Sequence, residues 1–163
     1  MTPLMLQAAL CDFLKEVVGS YLLETNKATT KAPQIVPSYL PLKGSNDTAD
    51  FPFVIVRVMS QEDSQDESKL VVKLIVGVHA EDIAQGPGDL MNVIERIRQA
   101  LFKKRVIDKR FRIEYPFSWD APDEQPYPEW LAVITTNWTM PRPIEEVDYG
   151  ENIYGEGPAG CKG

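Results

Sequence analysis

The residue pattern predicts an α+β fold: a mostly antiparallel β-sheet covered by two main helices, in the order α-β-β-α-β-β. Three observations lead there. Two stretches repeat apolar residues every three or four positions, four runs are rich in β-branched and aromatic residues, and these runs come in consecutive pairs. A parallel doubly wound sheet would need strands and helices to alternate throughout, and this chain does not alternate them.

The first helix starts with Thr2 as N-cap and Pro3 at the first helical position, where its missing N–H has no partner to lose. Leu6, Leu10, Phe13, Leu14, Val17 and Tyr21 mark the buried stripe, which predicts about five turns and an end near Glu24 to Asn26. From there to Asp50 the chain is punctuated by Pro33, Pro37, Pro41 and Gly44. This predicts extended, mostly irregular backbone with a short edge strand around Gln34 to Leu40.

Phe53 to Met59 and Leu70 to Val78 are β-branched runs joined by SQEDSQDES, a connection without an apolar residue. They form a hairpin with an acidic, solvated loop. In the second run Leu70, Val72, Leu74, Val76 and Val78 share one face. Val71, Lys73, Ile75, Gly77 and His79 share the other, a half-polar face suited to water or a neighbour.

Leu90, Val93, Ile94, Ile97 and Leu101 define the second helix, which the pattern starts between Gly86 and Asp89. In GPGD, Gly86 and Gly88 would reverse the chain and Pro87 or Asp89 would begin the helix. Phe111 to Phe117 and Trp130 to Trp138 supply the last two strands, with Pro116 marking an edge or an early end.

Composition bounds the function. A chain of 163 residues with 44% hydrophobic and 25% charged residues can bury a real core as one domain, assigned here to residues 1–143. Residues 144–163 are rich in glycine and acid and read as a flexible tail. A net charge of −7 argues against general or sequence-specific nucleic-acid binding, which needs a basic surface. The apolar N-terminus lacks a positive leader and carries Asp12, Lys15 and Glu16, so neither a signal peptide nor a membrane span is expected. Cys11 and Cys161 form no CxxC pair and the chain has a single histidine, which predicts no zinc site, no cofactor and no need for an oxidising compartment.

A catalytic reading centres on His79, followed by Glu81 and Asp82 and then by GPGD. A strand-end imidazole beside two carboxylates could serve a small hydrolase or ligand-binding enzyme. No nucleophile or second metal ligand is recognisable, and GPGD matches neither GxGxxG nor GxxxxGK[ST]. The competing reading makes the segment a structural joint.

Two charged segments are candidates for contact. Glu62, Asp63, Asp66 and Glu67 crowd the hairpin connection, and residues 95–112 hold eight Lys or Arg against two acids, including Lys103, Lys104 and Arg105. The basic run reads as a solvated helix face, as a nucleic-acid contact, though it lacks interleaved exposed aromatics and belongs to an acidic protein, or as a subunit surface complementary to acid on a neighbour. Trp119 and Tyr127, in the proline-rich region between the last two strands, are candidate anchors for a partner.

With this order assembled, the chain resembles the tail terminator, or tail completion, proteins of long-tailed phages and prophages. The resemblance spans about residues 4–146 and lies in the pattern: an N-terminal helix, FPFVIVRV, LVVKLIVGVHA, GDLMNVIERIRQAL, and AVITTNWTM leaving toward RPIEEV. It implies a structural protein with no catalytic residues. Copies assemble into a ring, commonly a hexamer, on the head-proximal end of the tail, and the partners are the major tail tube protein and the head–tail connector protein. Localisation would be the virion tail, after assembly in the host cytoplasm. Another neck or head–tail connector protein remains an alternative.

Overall fold

A computed structural model describes residues 2–41 and 50–146 of the protein. The elements are α1 (Pro3–Val18), β1 (Leu23–Glu24), β2 (Thr30–Lys31), β3 (Gln34–Pro37), β4 (Phe53–Asp63), β5 (Ser68–His79), α2 (Gln85–Lys104), β6 (Val106–Ile107), β7 (Phe111–Asp120) and β8 (Glu129–Met140). The fold is α+β. Six strands form one sheet in the order β3-β4-β5-β8-β7-β6, antiparallel except for the edge pair β3–β4, and β1 pairs with β2 as a separate ribbon.

Helix α1 packs on β3 and β4, and α2 on β5 and β8, so both helices cover one face of the sheet. The predicted stripes form the core there. Leu6, Leu10, Leu14 and Val18 of α1 and Leu90, Val93, Ile94, Ile97 and Leu101 of α2 meet Val54, Val56, Leu70, Val72, Leu74, Val76, Ile134 and Trp138. Each fully buried aliphatic side chain contributes roughly 1.5–3 kcal/mol. Among the described residues no helix covers the opposite face. It carries a smaller cluster of Val36, Phe51, Phe53 and Ile55, with Ile75 and Leu131 half-buried beside them.

Thr2 caps α1 as expected: its Oγ1 accepts the Met5 N–H at 3.1 Å. The helix ends at Val18, earlier than its stripe suggested, and Glu24 lies in β1. Arg96 of α2 explains the stop. Its Nε donates to the Val17 carbonyl at 2.8 Å, Nη2 donates to Ser20 Oγ at 3.3 Å, and the guanidinium lies 4.7 Å from the Tyr21 ring centre. Tyr21 continues the apolar stripe from outside the helix.

The hairpin is longer than its sequence suggested, because β4 and β5 zip up to Asp63↔Ser68. Glu62 and Asp63 are therefore strand residues, Glu62 lies opposite Lys69, and the turn is confined to Ser64–Glu67. A bulge at Met59 shifts the register between Val58 and Ser60. Pro116 does not end its strand. β7 passes it through a register shift between Glu114 and Ser118, with Asn137 Nδ2 donating to the Pro116 carbonyl at 2.8 Å.

Helix α2 begins at Gln85, ahead of GPGD. Asp82 makes the reversal: its Oδ1 accepts the Ala84 N–H at 2.8 Å and the Gln85 N–H at 3.3 Å. Gly86 and Gly88 lie inside the first helical turn, and neither has a positive φ. The expected tail, 144–163, falls outside the described residues except for residues 144–146.

Candidate functional site

The single histidine ends the inner strand β5; of the two settings its sequence face suggested, water or a neighbour, the structure corrects the first. His79 is 7% exposed. Antiparallel pairing of β5 with β8 sets it opposite Glu129, and Nδ1 lies 2.8 Å from Glu129 Oε2. Nε2 points the other way, 3.8 Å from Glu24 Oε2 on β1. Glu81 completes the group: one donor atom each from Glu24, His79 and Glu81 lie within 4.8 Å of one another.

The backbone around these side chains is pinned. Tyr127 Oη donates to the Glu81 carbonyl at 2.8 Å, Trp130 Nε1 donates to the Ala80 carbonyl at 2.9 Å, and the Ala80 N–H donates to the Pro128 carbonyl at 3.0 Å. Next to Glu24, Thr25 is buried, and its hydroxyl organises the β1–β2 turn through Lys27 N, Thr29 N and Thr29 Oγ1.

Of the two acids the sequence set beside His79, Glu81 is near it and Asp82 is spent on the turn before α2. The acid that orients the imidazole is Glu129, which lies 50 residues away in sequence. Local spacing could not find that pair. Only the register of Trp130–Trp138 against Leu70–Val78, both recognisable strands, carried a signal for it. Among the described residues, the hydrogen-bond and ion-pair partners of the ring are all carboxylates. Among the described residues that surround the ring there is no nucleophile for it to activate.

The contact candidates divide. Glu62, Asp63 and Asp66 are exposed at the hairpin tip, while Glu67 is partly buried and pairs with Lys69 at 3.3 Å. Lys103 and Lys104 are exposed at the end of α2. Arg105 is not an outward group. It adopts φ 65°, donates to the Ile113 carbonyl through Nε at 3.2 Å and Nη2 at 3.0 Å, and lies 3.6 Å from Glu114 Oε1. The other arginines of the basic run are also engaged within the chain: Arg96 on α1, Arg98 with Glu95, Arg110 with Asp108 and Arg112 with Glu114. Arg96, Arg98 and Arg112 stay exposed while so engaged, Lys104 Nζ lies 5.5 Å from the Phe13 ring centre, and Lys103 and Lys109 are exposed as well.

Trp119 lies within β7, not in the proline-rich loop, and is 40% exposed opposite Ile134. Tyr127 is in the loop and 56% exposed. Its hydroxyl is committed to Glu81, and its ring meets Trp130 edge-on at 6.2 Å. Its first role is to hold the loop that carries Glu81.

A groove of about 520 Å³ runs between the hairpin and the β7–β8 pair, lined by Ser60, Glu62, Glu67, Tyr115 and Asn137. It lies at the opposite end of β5 from His79, roughly 26 Å away along the strand. No described helix is long and apolar enough to cross a membrane.

No family model and no curated protein matches the chain. Among solved structures, one chain that carries no functional description superposes with a TM-score of 0.51 at 16% identity, over 89% of this chain and 99% of that one. At that identity the likeness is one of fold.

Proposed function

We propose that the protein is a structural tail-terminator-like subunit of a phage or prophage. In this reading copies associate into a ring that caps the tail tube, ends its polymerisation and offers the surface to which the head joins. The major tail tube protein and the head–tail connector protein are the partners, the virion tail is the final location, and the work is assembly without catalysis.

The placement of unspent charge carries the reading. A ring joins unlike surfaces of neighbouring copies, head to tail. The pairings Lys69↔Thr139, Thr139↔Arg112 and Arg112↔Val106 run across one end of the sheet, from the acidic hairpin to the strand that follows Lys103 and Lys104. The two charge groups thus occupy the same end of the sheet with β8 and β7 between them. Among the described residues no ion pair links Glu62, Asp63 or Asp66 to Lys103 or Lys104. Complementary charge separated within one copy is free to meet between copies, where it would set register and orientation. The sheet face that no described helix covers, with half-buried Val71, Ile75, Leu131 and Val133, supplies apolar area for the same association.

A charge-swap experiment tests this. Lys103→Glu with Lys104→Glu, or Glu62→Lys with Asp63→Lys, weakens ring formation and tail-length control when either is the only copy present. Mixing the two reversed proteins restores part of the assembly. Normal ring formation and head joining by both single reversals would remove the assigned interface.

A further inference from the structure

We infer that Glu24, His79 and Glu81 form a binding site for one divalent transition-metal ion, with Glu129 as the group that orients the imidazole. The inference is independent of the ring proposed above.

The two sides of the imidazole differ in a way that carries the argument. On the Nδ1 side Glu129 Oε2 lies at 2.8 Å, the distance of a charge-assisted hydrogen bond, so Nδ1 carries a proton that it donates to the carboxylate. On the Nε2 side Glu24 Oε2 stands at 3.8 Å, beyond hydrogen-bond reach. Nε2 is thus the ring nitrogen left for a ligand, and a carboxylate oxygen of Glu24 and one of Glu81 lie beside it. Electron-rich atoms converging on a largely buried ring require positive charge.

The separation of the donor atoms suits a bridging ion. Donors at ~2.1 Å from a zinc ion lie ~3.4 Å apart in a tetrahedral arrangement, so the Nε2–Glu24 gap of 3.8 Å closes on an ion with a small shift of the Glu24 side chain. The outer limit of 4.8 Å for the whole set closes by a small swing of Glu81, whose residue is exposed. Imidazole with two carboxylates is a donor set for zinc and neighbouring first-row ions, and leaves one tetrahedral position for water. Glu129 supplies the hydrogen bond that metal-bound histidines characteristically make through the other ring nitrogen.

The ligands come from separate parts of the chain: the ribbon after α1, the end of β5 and the loop into α2. A bound ion would tie these together and stabilise the folded chain by mass action.

The test uses the full chain and zinc chloride alone. His79 is the only histidine, so its imidazole signals are unambiguous in NMR. The expected result is saturable binding of one zinc per chain, a shift of the His79 ring resonances on the same isotherm, and a raised unfolding temperature. Glu24→Gln and Glu81→Gln weaken binding roughly tenfold or more, and Glu129→Gln weakens it ~10–100-fold. Glu81 is exposed, so its variant remains informative if another fails to fold. The inference is overturned if zinc shows no saturable binding up to millimolar concentration, if it binds without moving the His79 signals, as capture by the cysteines would, or if folded Glu81→Gln binds as tightly as the wild type.

Discussion

A Cβ placed on Gly86 would stand 2.2 Å from Trp130 Nε1, closer than any real contact allows. The indole of β8 lies against the first turn of α2 and donates to the Ala80 carbonyl, locking the joint between β5 and the helix. The first glycine of GPGD is thus required by the approach of a ring, while Gly88 has nothing within 4 Å of its added Cβ.

Gly86→Ala and Gly88→Ala should therefore move stability in opposite directions. The first forces Trp130 off its site, at a cost of about 1–3 kcal/mol. The second gains about 0.5–1 kcal/mol from the better helix former. Urea unfolding, with tryptophan fluorescence reporting on the indole, separates the two.

Thr136 sits fully buried between two strands. Its Oγ1 donates to the Val72 carbonyl at 2.7 Å and accepts the Trp138 indole N–H at 2.8 Å. Thr136→Val leaves that buried N–H without an acceptor and should cost about 1–3 kcal/mol, whereas Thr136→Ser keeps the acceptor and should cost less. A lower urea midpoint at unchanged slope identifies the effect as one on stability.

Arg105 and its lysine neighbours should respond differently to substitution. Arg105→Ala removes two hydrogen bonds to Ile113 and the guanidinium 5.3 Å from the Tyr115 ring centre, so thermal unfolding should fall by the equivalent of about 1–3 kcal/mol. Reversing Lys103 and Lys104, in the last turn of α2, should cost the monomer about 1–2 kcal/mol through the helix dipole and should in addition weaken association, which Arg105→Ala should not. Calorimetry paired with sedimentation measurements distinguishes the fold residue from the interface residues.

Glu95 gives the helix a defined acid response. Hydrogen bonds from Arg98 and then from Gln99 hold its carboxyl at about 2, down from the ordinary 4.5. Because the folded value is depressed, the contribution is complete above the ordinary carboxylate value and is lost as pH falls from there through about 2. Carboxyl NMR should follow Glu95 to that low midpoint, and Glu95→Gln should shrink the helix's loss of ellipticity over the same window. A midpoint near 4.5 would mean that the Arg98 contact is not maintained in solution.

The fold was legible because it follows from short-range patterns. The stripes Leu6-Leu10-Leu14 and Leu90-Ile94-Ile97-Leu101, and the β-branched runs at Phe53–Met59 and Leu70–Val78, reported their own faces. Element ends were harder to read, because they depend on distant partners. Arg96 stops α1, and cross-strand pairing at Glu62↔Lys69 lengthens the hairpin. The charged candidates were legible as charge but not as position: Glu62 and Asp63 are strand residues, Lys103 and Lys104 are exposed in the last turn of α2, and Arg105 turned inward.

By itself the sequence determined the α+β class, the two covering helices, the buried stripes and the sign of each charged segment, since hydrophobic periodicity and charge are local properties of the chain. Only tertiary structure decided which charges are spent inside the fold and what surrounds His79. Strand register places Glu129 opposite that ring, and packing of the β1–β2 ribbon brings Glu24 to its other side. A lone histidine with no metal-ligand spacing becomes the centre of an acidic cluster because residues far apart in sequence meet where the strands end, and linear spacing does not encode that meeting.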